Sequence, residues 1–100
     1  MIRHIVMWKM REEAGGATGA QNALLLKARL EACAGIVPGI LRFEVALAQP
    51  GLEASCDVML YSEFASRASL EAYNAHPEHQ LLKCWVAGLR ENRVGFDHEL

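Results

Sequence analysis

The sequence has no surplus of cationic side chains. Ten Lys and Arg stand against twelve Asp and Glu, leaving a formal charge of −2. A nucleic-acid surface needs the opposite balance, because phosphate contacts are made by clustered positive charge. An RNA-reading sheet would also need stacking aromatics with basic neighbours, and no such pair is present. No apolar run approaches the roughly 18 residues of a membrane span. The opening Met1-Ile2-Arg3-His4-Ile5-Val6-Met7-Trp8-Lys9 lacks the apolar stretch of about 7–15 residues that marks an export signal. Cysteine is scarce as well: Cys33, Cys56 and Cys84 lie in three separate segments, odd in number and without a CxxC pair. That argues against a disulfide framework or a zinc ribbon. It fits a reducing, cytoplasmic setting in which the thiols serve as small buried hydrophobes.

Apolar residues, by contrast, are abundant. Ala, Val, Ile, Leu, Met, Phe, Trp, Cys and Gly make up 58 of the 100 residues, against about 45–50% in an average globular domain. Fifteen of them are alanines, yet the remainder is still more than so small an interior can hide. The composition therefore predicts one domain over residues 1–100 that covers apolar surface by self-association.

The pattern along the chain predicts the elements. Residues 2–9 read as a strand, with Ile2, His4, Val6 and Trp8 on one face and Arg3, Ile5, Met7 and Lys9 on the other. Residues 11–19 are polar and glycine-rich and read as a loop. Thr18 with Gln21 forms a capping box that starts a helix. In that helix Ala23, Leu26, Leu30 and Cys33 form one buried stripe, and Gly35 is the expected residue just past its end. Leu24, Leu25, Ala28 and Ala32 form a second apolar side that needs another helix or a partner chain.

After the Pro38-Gly39 turn, a strand over 40–48 places Leu41, Phe43, Val45 and Leu47 opposite Arg42 and Glu44. Gln49-Pro50-Gly51 breaks it, and a strand over 56–64 sets Val58, Leu60, Ser62 and Phe64 against Asp57, Met59, Tyr61 and Glu63. Ser66 caps a short helix carrying Leu70 and Tyr73. His76-Pro77 ends that helix and begins the next, which runs to about Leu89 with Leu82, Trp85, Val86 and Leu89 buried. A last strand over 92–98 passes through Val94 and Phe96. The order is β-α-β-β-α-β with the second helix split: a ferredoxin-like α+β fold, an antiparallel four-stranded sheet with helices on one face. The bare face must be buried, and a second copy is the simplest cover.

Several segments together resemble the stress-responsive A/B barrel domain (Dabb, dimeric α/β barrel) family. Ile2-Arg3-His4-Ile5-Val6-Met7-Trp8-Lys9 is similar to its first strand, and Ile36-Val37-Pro38-Gly39-Ile40 to the turn into the second. Asp57-Val58-Met59-Leu60-Tyr61-Ser62-Glu63-Phe64 is similar to the third. Tyr73-Asn74-Ala75-His76-Pro77-Glu78-His79 is the most specific segment, and Arg93-Val94-Gly95-Phe96-Asp97 resembles the closing strand. The resemblance implies a homodimer whose sheets form a barrel, with a small-molecule pocket between each sheet and its helices. One plant branch of the family is a polyketide cyclase that performs an intramolecular aldol condensation without metal or cofactor. There the tyrosine and second histidine of the Tyr-x-x-His-Pro-x-His segment are the catalytic pair. They correspond to Tyr73 and His79, the first-strand histidine corresponds to His4, and Asp57 stands where the cyclase has a further histidine.

The residues themselves bear on that chemistry. His79 is the third residue of its helix, with Leu82 and Val86 at i+3 and i+7, so its imidazole sits at the edge of the apolar stripe. The positive helix end disfavours an imidazolium and keeps the ring able to accept a proton. Tyr73 can donate to a carbonyl oxygen or a developing enolate; the plainer reading is a core tyrosine. His4, Asp57, Leu82, Trp85 and Val86 are expected to line the pocket. His76 and His79 at i, i+3 across a proline are not a zinc-binding spacing, and no third ligand is marked.

Two functions from different classes follow: a pocket protein acting on a small apolar or carbonyl-bearing ligand through His79 and Tyr73, without cofactor; or a non-catalytic stress or scaffold dimer with a vestigial pocket. A cofactor-free or haem-degrading monooxygenase of the wider dimeric barrel superfamily is a third option, resting on shared fold alone.

Overall fold

Strand β1 (Ile2–Met10) sorts its side chains by parity, the geometry a pleated strand imposes. Ile2, His4, Val6, Trp8 and Met10 are buried, while Met7 and Lys9 are exposed on the opposite face. The computed structural model describes residues 1–100. After β1 come β2 (Glu13–Ala14), β3 (Ala17–Thr18), α1 (Gly19–Glu31), β4 (Ile40–Leu47), β5 (Val58–Phe64), α2 (Arg67–Ala75), α3 (Pro77–Ala87) and β6 (Arg90–Glu99). The main sheet has the order β4-β5-β1-β6, with every neighbouring pair antiparallel. This is the ferredoxin-like α+β arrangement, with three helices on one face. No helix is long and apolar enough to cross a membrane.

The core lies between that face and the helices. Leu26 and Leu30 of α1, Leu70 and Tyr73 of α2, and Leu82 and Val86 of α3 are buried against Val6, Trp8, Leu60 and Phe64. Leu26 is 0% exposed, so truncating it to alanine would cost about 2–5 kcal/mol. The caps anticipated at the helix starts form: Thr18 Oγ1 accepts from Gln21 N–H while the Gln21 side chain accepts from Thr18 N–H. Ser66 and Ser69 make the equivalent reciprocal pair at α2. His76, with φ −63° and ψ 136°, closes α2 and opens α3, and its Nδ1 accepts from Glu78 N–H at 3.1 Å. Leu24 and Leu25 on the second side of α1 remain exposed.

Five local expectations need correction. The 11–19 segment is not simply a loop: β2 and β3 form a miniature hairpin. Its turn residues Gly15 and Gly16 have φ of 60° and 79°, as a two-residue turn with the twist of the flanking strands requires. Gly35 does not provide a left-handed helix end; α1 closes through Ala32 in a right-handed conformation, and the chain winds on through Cys33 N–H to Leu30 C=O and Ala34 N–H to Glu31 C=O. In β4 the register slips between Ile40 and Arg42, so Ile40 turns inward and Leu41 is 59% exposed rather than core. The third strand starts at Val58, two residues later than expected. Of the thiols only Cys33 is buried; Cys56 is half-buried and Cys84 exposed.

The sheet has two unlike faces. Away from the helices, Ile5 stands between Tyr61 and Phe96, and Met7 between Met59 and Val94. On the helix side, β6 contributes Arg93, Gly95 and Asp97, all of them exposed. No helix packs extensively on β6. The space above that edge of the sheet is therefore open.

Candidate functional site

The break at His76-Pro77 brings Tyr73, near the end of α2, against His79, in the first turn of α3. Their ring centroids are 4.5 Å apart with planes tilted by 50°. Tyr73 is wedged among rings, with centroids of Phe64 at 5.2 Å, Phe43 at 6.1 Å and His4 at 6.3 Å. Packing thus holds the phenol in one place. Its hydroxyl is buried and meets no hydrogen-bond partner. Burial raises the Tyr73 pKa well above its ordinary range, so at neutral pH the phenol keeps its proton and acts as a donor.

His79 is buried to 8% exposure. Its Nδ1 lies 3.3 Å from the Asn74 carbonyl oxygen, a weak contact in which the protonated nitrogen donates, leaving Nε2 with a free lone pair. The imidazole pKa is lowered, first by burial. The Asn74 carbonyl pulls the other way, and Lys83, His4 and Arg93 add to the lowering. The ring is therefore neutral at neutral pH. The expectation was neutrality imposed by the helix end; desolvation and nearby cations are the causes found.

His4 projects from β1 into the same space. Its Nδ1 is 2.5 Å from Oδ1 of Asp97, the residue directly opposite it on β6. A carboxylate only accepts, so Nδ1 carries the proton of this contact, and the acid fixes the orientation of the ring. Behind it, Ser62 Oγ donates to the His4 carbonyl at 3.0 Å, satisfying a hydroxyl in the sheet interior.

These rings line a cavity of about 40 Å³. It has room for a few waters, well short of the roughly 300–1,000 Å³ typical of sites for drug-sized ligands. His4, Tyr73 and His79 form its polar side, and Leu82 and Val86 part of its apolar wall. Lys83, Arg90 and Arg93 also line it; sequence reading singled out none of the three. Asp97 was missed too. Its signal is its position opposite His4 once the first and last strands are paired in register.

Two expected lining residues lie elsewhere. Asp57 sits at the far end of β1, where its N–H donates to the Trp8 carbonyl at 2.8 Å, roughly 17 Å along the strand from His4. There Oδ2 accepts from Met10 N–H at 2.7 Å, and Oδ1 is 3.6 Å from Lys9 Nζ. Asp57 pins the sheet rather than the pocket. Trp85 faces away from the cavity, half-buried under the Arg29 guanidinium at 4.2 Å; the spacing i+6 from His79 puts it on another side of α3.

Comparison with solved structures gives close matches in shape. The chain is 28% identical to a dimeric protein with a ferredoxin-like fold from Bacteroides fragilis, covering 99% of this chain and 95% of that one with a TM-score of 0.80. A Dabb family protein from Mesorhizobium loti is 24% identical over 99% and 95% of the two chains, with a TM-score of 0.69. A Nitrosomonas europaea protein named for antibiotic biosynthesis monooxygenase activity is 17% identical over 100% and 98%, with a TM-score of 0.78; at that identity the likeness is one of fold. No curated protein matches the chain in sequence. The family model described as the stress responsive A/B barrel domain matches residues 2–100, and the chain belongs to that family.

Proposed function

We propose that the chain works as a homodimer, each subunit binding a small carbonyl compound in the Tyr73–His79 cavity and removing a proton from the carbon next to the carbonyl. The observation that carries this reading is the Tyr73 hydroxyl, buried and unpartnered beside a neutral imidazole. Leaving such a donor unpaired costs about 1–3 kcal/mol. A ligand oxygen would supply the missing acceptor.

The chemistry follows from the two side chains. His79 Nε2 takes the proton while the C–H electron pair moves into the enolate. The enolate oxygen accepts a hydrogen bond from Tyr73, which stays protonated. In an aldol closure the enolate carbon attacks a second carbonyl of the same molecule, and the proton passes from His79 to the new alkoxide. Positioned proton transfer of this kind contributes roughly 10²–10⁴-fold in rate. The test is exchange of α-protons of small ketones and 1,3-diketones in D₂O, followed by proton NMR. Wild type should accelerate exchange, and His79→Ala and Tyr73→Phe should return it to the buffer rate. Exchange at the buffer rate with wild type across the panel would refute the reading.

The dimer is proposed through the bare sheet face. Phe96 is 68% exposed there, Val94 46% and Met7 39%, and the Arg3 Nε on the same face is buried without a partner. Obligate interfaces bury about 2,000 Å² or more in total, and the dimeric Bacteroides fragilis relative shares this sheet. The small size of the cavity favours the second reading, a non-catalytic stress or scaffold dimer with a vestigial pocket. That reading predicts a stable dimer whose melting temperature no small carbonyl compound shifts.

A further inference from the structure

The chain has ten Lys and Arg, and four of them, Lys9, Lys27, Arg42 and Arg67, are matched with acids. Lys83, Arg90 and Arg93 are not. All three line the cavity that holds Tyr73 and His79. They come from two elements, Lys83 from α3 and the two arginines from β6, so no single run of sequence accounts for their convergence. No acid lines the cavity with them, and Asp97, on the same face of β6 as Arg93, is engaged by His4. The permanently charged neighbours that act on His79 are correspondingly both positive: Lys83 and Arg93.

Arg93 is placed by an unusual strand residue. Gly95 sits opposite Val6 in the β6–β1 ladder, on the helix-facing side, where a side chain would normally stand. A Cβ built there would lie 3.2 Å from an Arg93 guanidinium nitrogen. The missing side chain lets the guanidinium fold flat over the strand. Because no helix packs extensively on β6, this edge of the cavity is its open side. Unpaired cations thus ring the entrance, and at the inner end stands a buried hydroxyl with no partner.

We propose that Lys83, Arg90 and Arg93 form an anion subsite at the mouth of the cavity, and that the ligand is a small oxo acid. Its carbonyl reaches Tyr73 and its ionised carboxylate lies against the cations. This rests on the reading of the cavity as a ligand pocket and names its substrate class. A carboxylate matches the fork of an arginine in two parallel hydrogen bonds, which lysine alone would not provide. A cavity of about 40 Å³ restricts the acid to a compact one. The same cations would stabilise the negative charge that develops when His79 removes a proton.

Isothermal titration of the intact protein with acetoacetate and with pentane-2,4-dione tests the subsite. The two probes share the 1,3-dicarbonyl unit and differ in the carboxylate. Acetoacetate should bind wild type about tenfold more tightly or better. The double variant Arg90→Gln/Arg93→Gln should erase that preference while leaving pentane-2,4-dione unchanged. Gly95→Ala keeps every charge but displaces the guanidinium, and should weaken acetoacetate selectively; circular dichroism verifies that each variant is folded. If the neutral diketone binds as tightly as the acid, or the acid's advantage survives both variants, the anion subsite is refuted while the pocket stands. If neither probe binds wild type, the pocket reading falls and the subsite with it.

Discussion

Replacing Tyr73 with phenylalanine removes one oxygen atom from a fully buried side chain whose hydroxyl meets no partner. The ring contacts with Phe64, Phe43, His4 and His79 are those of the six-membered ring, not of the oxygen, so they survive. What disappears is the cost of a buried donor left unpaired, about 1–3 kcal/mol. Transient water in the cavity recovers part of that cost in the wild type. The expected outcome is a variant more stable by about 1 kcal/mol, equivalent to roughly 4–8 °C in melting temperature for a domain of this size. Urea denaturation at one fixed protein concentration measures it, since dissociation would otherwise shift the midpoint. The same variant should lose proton-exchange activity. Gain of stability with loss of activity is the signature of a group kept for function at a cost to folding. A loss of 1 kcal/mol or more would refute the reasoning, because it would make the hydroxyl a structural donor.

His79→Ala should keep the fold, because α3 has its own start at Pro77 and its own anchors in Leu82 and Val86. A stability loss on the order of 3 kcal/mol would instead mark His79 as structural. The lowered pKa of His79 also sets a pH dependence: the unfolded chain, titrating near 6.5, binds the proton more readily than the folded one. Its stabilising contribution is therefore complete above about pH 6.5 and falls as pH drops through the window down to the folded value. His79→Gln should flatten that slope in urea midpoints taken between about pH 5 and 8. Phe96→Glu places a charge on the bare sheet face twice per dimer, and sedimentation should show it as a monomer; a wild-type chain sedimenting as a stable folded 11.0 kDa monomer would remove the basis of the dimer.

Elements governed by local chemistry were legible. The capping boxes at Thr18 and Ser66, the alternation of Val58, Leu60, Ser62 and Phe64, and the break at His76-Pro77 depend on residues within one or two turns of each other, and each stands where the spacing puts it. The misreadings have a common physical origin in long-range geometry. Leu41 fits the alternation of its strand, but a register slip against β5 turns it outward. Asp57 matches a family position, yet Met10 N–H and Lys9 hold its carboxylate at the other end of the sheet. Gly35 stands where a helix-ending glycine would, and α1 closes without it.

Strand β6 explains why the polar half of the site was hardest to read. Its outward residues Val94 and Phe96 are apolar in alternation, a pattern that marks a covered face. Its inward residues Arg93, Gly95 and Asp97 have the composition of a solvated edge, and nothing local distinguishes them from one. Their meaning comes from partners distant in sequence: His4 across the ladder for Asp97, and the Tyr73–His79 pair across the cavity for Arg93. One strand therefore serves both proposed surfaces, with the dimer face on one side and the pocket mouth on the other. Gly95 lies between Val94 and Phe96 in sequence while making room for Arg93 on the opposite face. Dimerisation through Val94 and Phe96 would then stiffen the backbone that aims Asp97 at His4 and carries the Arg93 guanidinium, so the Phe96→Glu monomer should bind acetoacetate more weakly than the dimer although no residue of the cavity has changed.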